Sequence, residues 1–218
     1  MHIGFVGGTG IEAMGLALRF TAAGASVILG SRSPERAVRA AEDFHSKFGP
    51  SLLCGMSNQD MIESCEIIFL TVPFSEALHT VAAYQNLFKP HQVLVDVTVP
   101  LAFRAGYPEY LDQEGMSNAE IIARALPAGV PLTAAFKTIP AAVLADRDSE
   151  LHCNVFVCGD SEEAKAEVMA VASLIPSLRP LDAGPLQVAR TLERMAVLAI
   201  ALNRKYKRKG ARFRMEGL

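Results

Sequence analysis

The chain opens with a short apolar run, Ile3, Phe5 and Val6, that stops at Gly7-Gly8. From Gly10 the apolar spacing turns helical through Ile11, Met14, Leu18 and Ala22, up to Gly24. A strand buried on both faces reads as a continuous apolar run and an amphipathic helix as a 3.6-residue repeat. The first two dozen residues therefore predict a strand, a glycine turn and a helix. The alternation recurs. Ala25–Gly30 reads as a second strand, with Pro34 opening a helix over Glu35–Lys47 that Gly49-Pro50 ends. Leu52 and Leu53 mark a short third strand before a helix containing Met61, Ile62 and Cys65. Glu66–Pro73 gives a fourth strand, Ser75–Leu87 a helix, and Gln92–Thr98 a fifth strand. Leu101–Gly115 has little periodicity and reads as an irregular excursion over the surface. Ser117-Asn-Ala-Glu120 has the pattern of a capping box. Pro131–Phe136, Asn154–Cys158 and Arg179–Asp182 follow as strands, and Leu186–Tyr206 as a long apolar helix.

Strands alternating with helices predict an α/β fold. The expected architecture is a Rossmann-type doubly wound parallel sheet over residues 1–145. A small C-terminal α/β extension, residues 146–218, ends in the long helix.

The glycine turn carries the first candidate chemistry. Gly8-x-Gly10-x-x-Ala13 follows a strand and opens a helix, the context in which this fingerprint binds a dinucleotide. Unpaired N–H groups and the positive end of the helix dipole suit a pyrophosphate there, and glycine permits its close approach. After the second strand, where an NAD site carries an acid on the ribose, this chain has Ser31-Arg32-Ser33 and Arg36. A hydroxyl beside two guanidiniums suits a 2′-phosphate, which points to NADP. The loops after the fourth, fifth and sixth strands, at Pro73-Phe74, Val99-Pro100 and Lys137–Ala142, fall at the carboxyl edge of the sheet, where such folds bind ligands.

Composition narrows the partners. Half of the 218 residues are apolar and the formal net charge is −2, so no overall field attracts nucleic acid or an anionic membrane. Met195–Leu202 is too short to span a bilayer, and the start of the chain reads as a strand rather than a secretory leader. Cys54, Cys65, Cys153 and Cys158 form no CxxC pair, which favours reduced thiols in a cytoplasm. No metal site is expected, His152-Cys153 included. His2, His45, His79 and His91 read as surface residues, and Asp96 as a satisfied structural group. The basic stretch Arg204–Arg214 reads as a solvated helix end, or as a contact for an anionic tail or a second subunit.

Six blocks in order, Gly7-Gly-Thr-Gly10, Gly30-Ser-Arg32, Leu70–Phe74, Thr138–Ala142, Val157–Asp160 and Arg179–Leu186, resemble the NADPH:coenzyme F420 oxidoreductases over nearly the whole chain. The resemblance implies hydride transfer between NADP(H) and the deazaflavin F420 as co-substrate. It places Gly8, Thr9, Gly10, Ile11 and Glu12 along the pyrophosphate, and Ser31, Arg32 and Arg36 on the 2′-phosphate. Pro73, Phe74 and Leu78 would flank the adenosine and ribose, and Ala141 the nicotinamide. Lys137, Thr138 and Ile139 would line the deazaflavin. Lys137 stands where archaeal members carry histidine, and Phe74 where they carry tryptophan. Ring-to-ring transfer needs no acid or base, so no catalytic residue is assigned, although Lys137 is a candidate to steady charge on the acceptor ring. A homodimer through the long helix is expected. Two other readings stay open: reduction of an ordinary flavin or ferric chelate by NADPH, and a non-catalytic NADP-sensing module.

Overall fold

Strand β1 (His2–Val6) is an interior strand of the sheet, with Ile3 opposite Val27 on one side and Ile67 on the other. The computed structural model describes residues 1–218. In chain order the elements are β1, α1 (Ile11–Ala22), β2 (Ser26–Ser31), α2 (Pro34–Phe48), β3 (Leu53–Ser57) and α3 (Asn58–Ser64). Next come β4 (Ile67–Leu70), α4 (Phe74–Tyr84), β5 (Val93–Asp96), β6 (Leu101–Arg104), β7 (Tyr107–Tyr110) and α5 (Asn118–Ala123). The chain ends with β8 (Leu132–Ala134), α6 (Ala141–Leu144), β9 (Cys153–Gly159), α7 (Glu162–Ser173), β10 (Leu178–Gly184) and α8 (Ala189–Lys205).

Eight strands form one sheet in the order β10-β9-β8-β5-β4-β1-β2-β3. All neighbours are parallel except β8 and β9, so the last two strands run against the rest. The strand order reverses between β1 and β4, the switch point at which doubly wound sheets bind ligands. Alternation along each strand feeds two cores. Ile3, Phe5, Ile67 and Phe69 face α1, α2 and α7, whereas Val6, Ile68 and Leu70 face α3, α4 and α5. Phe5 and Phe69 stack with centroids 5.1 Å apart, and Phe20 and Phe136 close the cluster.

Two departures from the sequence reading have physical causes. Helix α1 buries Ala13, Leu16, Ala17 and Phe20, while Ile11 is 75% exposed. Small residues let the helix lie close to its neighbours: a Cβ on Gly15 would stand 2.8 Å from Leu144 Cβ of α6. Of the stripe chosen by residue type, Leu18 is buried and Met14 packs on the core, but the rest of the buried face, Ala13, Gly15, Leu16, Ala17 and Phe20, was missed. The second departure is the stretch after the fifth strand. It is an antiparallel hairpin, β6 with β7, turning at Ala105 (φ 48°) and Gly106 (φ 83°). A two-residue turn with both φ positive normally announces itself as Asn-Gly; Ala-Gly does not. The capping box at Ser117 forms as expected, its side chain accepting from Glu120 N while Glu120 accepts from Ser117 N.

From a 3-10 turn over Leu186–Val188 beside the amino ends of β5 and β8, α8 returns to the carboxyl edge of the sheet. No helix is long and apolar enough to cross a membrane.

Candidate active site

At the glycine turn, Gly8 N donates to Gly30 O at 2.8 Å, seating the turn on β2. A Cβ on Gly8 would lie 2.9 Å from Leu29 Cα and 3.0 Å from Phe5 O, both backbone atoms that cannot give way. Gly10 caps α1 without a side-chain acceptor, so the first N–H groups of the helix remain available to an anion. Asn58, buried, braces the turn by accepting from Gly7 N at 3.4 Å.

A cleft of about 280 Å³ runs from this turn over β2, lined by Thr9, Gly10, Ser31, Arg32 and Arg36, with Pro73 on its far wall. Ser33 caps α2 and thereby holds Arg36, in the first turn, at the rim. The ion pairs of the molecule engage other residues, leaving the guanidiniums of Arg32 and Arg36 without a carboxylate. Two such cations beside the buried Ser31 hydroxyl form a cradle that fits a phosphate monoester. Asn58, His79 and Tyr84 also line this cleft; the sequence reading placed His79 on the plain surface and did not select the other two.

Thr71, Val72 and Pro73 are common to this cleft and to a second one of about 390 Å³. The second is lined by Glu12, Phe74, Thr138, Ile139 and Ala141, by Val97–Val99 after β5, and by Ala196, Ala199, Ile200 and Asn203 of α8. Phe74, expected beside the adenosine, lies here instead. Ile11 and Leu78 line neither cleft, and Gly8 is enclosed within the turn. The α8 residues were missed because nothing local shows which face of an apolar helix meets a ligand.

Lys137 requires a correction. Its backbone lines the second cleft, but its ammonium points into the protein and is fully buried. Nζ donates to Asp96 Oδ2 at 2.6 Å and to the Thr98 carbonyl, and lies 3.5 Å from Glu193 Oε1. Asp96 Oδ1 accepts from Thr98 N and Oγ1; Glu193 accepts from Tyr110 Oη at 2.9 Å and Asn118 N at 3.0 Å. An isolated ammonium cannot be taken from water without such partners. Burial, with Asp96 nearby, holds the Glu193 carboxyl above its ordinary range despite Lys137. The turn that directs Lys137 inward is Phe136 (φ 58°), an unfavourable conformation held by its ring against Phe20 and Phe69. The network ties the ends of β5 and β8 to α5, β7 and α8 behind the second cleft. Asp96 is the satisfied structural group that the sequence suggested.

Glu12 is the one carboxyl lining the second cleft, and burial raises it to about 8. Because the folded value lies above the unfolded one, the native state keeps a proton that the unfolded chain has lost between about pH 4.5 and 8. Stability therefore falls as pH rises through that window. Glu12→Gln is expected to leave the melting temperature unchanged near pH 4 and raise it by a few degrees near pH 9. Thermal melts of both proteins across that range decide it; parallel curves would refute a Glu12 carboxyl raised by its place in the cleft.

Residues 2–100 match the family described as NADP oxidoreductase, coenzyme F420-dependent. The F420-dependent NADP reductase of Methanocaldococcus jannaschii is 34% identical, the alignment covering 100% of this chain and 99% of the relative. The metalloreductase STEAP3 of Rattus norvegicus is 33% identical over 85% of this chain, but this chain spans only 34% of that protein. A crystal structure from Arthrobacter sp. FB24, a provisionally assigned F420-dependent NADP reductase, superposes with a TM-score of 0.81 over 98% of each chain, at 23% identity. Two connected clefts at the switch point and full-length similarity above 30% lead to one assignment: the chain belongs to the F420-dependent NADP reductase family.

Proposed function

We propose that this protein is an oxidoreductase that passes a hydride between NADP(H) and a deazaflavin of the F420 type. The observation that carries the reading is the pair of clefts meeting at Thr71–Pro73, one polar with two unpaired guanidiniums and the other walled by apolar side chains. Thr9, Gly10 and the first turn of α1 would hold the pyrophosphate, and Ser31, Arg32 and Arg36 the 2′-phosphate. Pro73, Phe74, Thr138, Ile139 and Ala141 would form the walls around the reacting rings. When bound, the two coenzymes supply the redox chemistry themselves. The work left to the chain is placement and exclusion of water, and orientation alone contributes roughly 7–11 kcal/mol toward such a barrier. Val97, Val99, Ile139, Ala196 and Ile200 exclude water from the second cleft. The Lys137–Asp96–Glu193 network keeps its floor and its α8 wall in register.

The test is stopped-flow oxidation of NADPH with F420, FMN and a ferric chelate in turn. Fastest turnover with F420 is the expected result, and equal rates with FMN would overturn it in favour of a flavin or ferric-chelate reductase, a reading the metalloreductase relative keeps in view. NADPH binding with no turnover would instead indicate a sensing module.

The same reading divides the chain into a dinucleotide-binding part, residues 1–145, and a small C-terminal part, residues 146–218. The reversal of strand direction between β8 and β9 supports it. Exposed Leu198 on α8, outside both clefts, supports a homodimer through that helix. Four unbonded cysteines favour a cytoplasmic setting.

A further inference from the structure

We infer that the basic segment following α8 is a subsite for a flexible polyanionic chain carried by the acceptor. The inference rests on the reading of the second cleft as the acceptor site. Asn203, on the last turn of α8, lines the second cleft and also a shallow groove formed by Leu202, Tyr206, Arg208, Lys209, Gly210 and Ala211. Asn203 thus stands between the cleft and the groove, and places the groove next to the α8 wall of the acceptor site.

Five cations lie between Arg204 and Lys209, and the ion pairs of the molecule engage none of them. In a chain of net charge −2, this concentration is local. The helix dipole explains cations in the last turn, Arg204 and Lys205, but Lys207, Arg208 and Lys209 lie beyond the helix end. The segment is also held in place. Lys207 (φ 50°) turns the chain, Arg208 N donates to Asn203 O at 2.8 Å, and Ala211 N donates to Asn203 Oδ1 at 2.8 Å. Further on, Asn154 N of β9 donates to Phe213 O, and Arg212 donates to the Glu150 and Leu151 carbonyls. Arg208 and Lys209 are thus fixed, exposed and uncompensated at the mouth of an apolar cleft. Phosphate and carboxylate groups on a tether from the ring are the chemistry that such a strip selects.

The experiment compares the native protein with Arg208→Glu/Lys209→Glu and with the milder Arg208→Gln/Lys209→Gln. The acceptors are a deazaflavin with its phosphate-and-glutamate chain and the same ring without the chain. For the charge reversal, KM for the tailed acceptor is expected to rise about tenfold, and its dependence on salt to flatten. KM for the tail-less ring and for NADPH should stay within about twofold, and the glutamine variant should fall between. An unchanged KM for the tailed acceptor in both variants would overturn the inference and leave the reaction itself standing. Equal losses for NADPH would overturn it as well, by assigning the strip to the dinucleotide. Failure of the native protein to turn over either deazaflavin would remove the acceptor site and this subsite together.

Discussion

Lys137→Met is expected to lower stability by about 3–5 kcal/mol, the scale on which removing one partner strands a buried charge. The variant leaves Asp96 and Glu193, both fully buried, without their cation. For a chain of this size, that corresponds to a fall of about 10 °C in melting temperature. Asp96 would keep its bonds from Thr98, and Glu193 those from Tyr110 and Asn118, so each carboxyl would retain dipolar partners but lose the cation they share. Adding Glu193→Gln to Lys137→Met should recover part of the loss by removing one of the stranded charges. A melting temperature within about 2 °C of the native value would show that the ammonium contributes little to the network.

Arg32→Ala should weaken NADPH binding by about tenfold to a hundredfold while changing NADH by less than about threefold. A hydrogen bond to a charged group is worth about 1.5–3 kcal/mol, and each 1.4 kcal/mol is about tenfold in affinity. Arg36→Ala should act in the same direction but less, since the guanidinium sits at the rim of the cleft. Titration calorimetry with both dinucleotides measures the ratio. Equal losses for the two would remove Arg32 from the 2′-phosphate and return the choice of coenzyme to other residues.

The parallel strands could be read from the sequence because burial on both faces writes a continuous apolar run, as in Ile67-Ile-Phe-Leu70. The glycine turn was readable for a related reason: its residue types follow from backbone sterics within a few positions. Lys137 was not. Its orientation depends on Asp96, 41 residues earlier, and on Glu193 in a different helix. Between them stands a left-handed Phe136 that no residue preference announces. The face of α8 that meets the second cleft was hidden likewise, because Ala196, Ala199 and Ile200 look the same whether they face a core or a ligand. The β6–β7 hairpin escaped through its Ala-Gly turn. Local chemistry reported local geometry; contacts across the fold left no mark in the pattern.

The clefts draw on very different lengths of chain. Every residue lining the first lies between Gly7 and Tyr84, whereas the second is completed by α8, near the other end. Recognition of the coenzyme can therefore be inherited with the first half alone, while the choice of what the coenzyme reacts with is written across the whole chain. Exchange or divergence of the C-terminal segment would give a lineage a new reaction partner with its phosphate-binding half intact. Similarity confined to residues 2–100 accordingly speaks for a shared electron carrier rather than for a shared substrate.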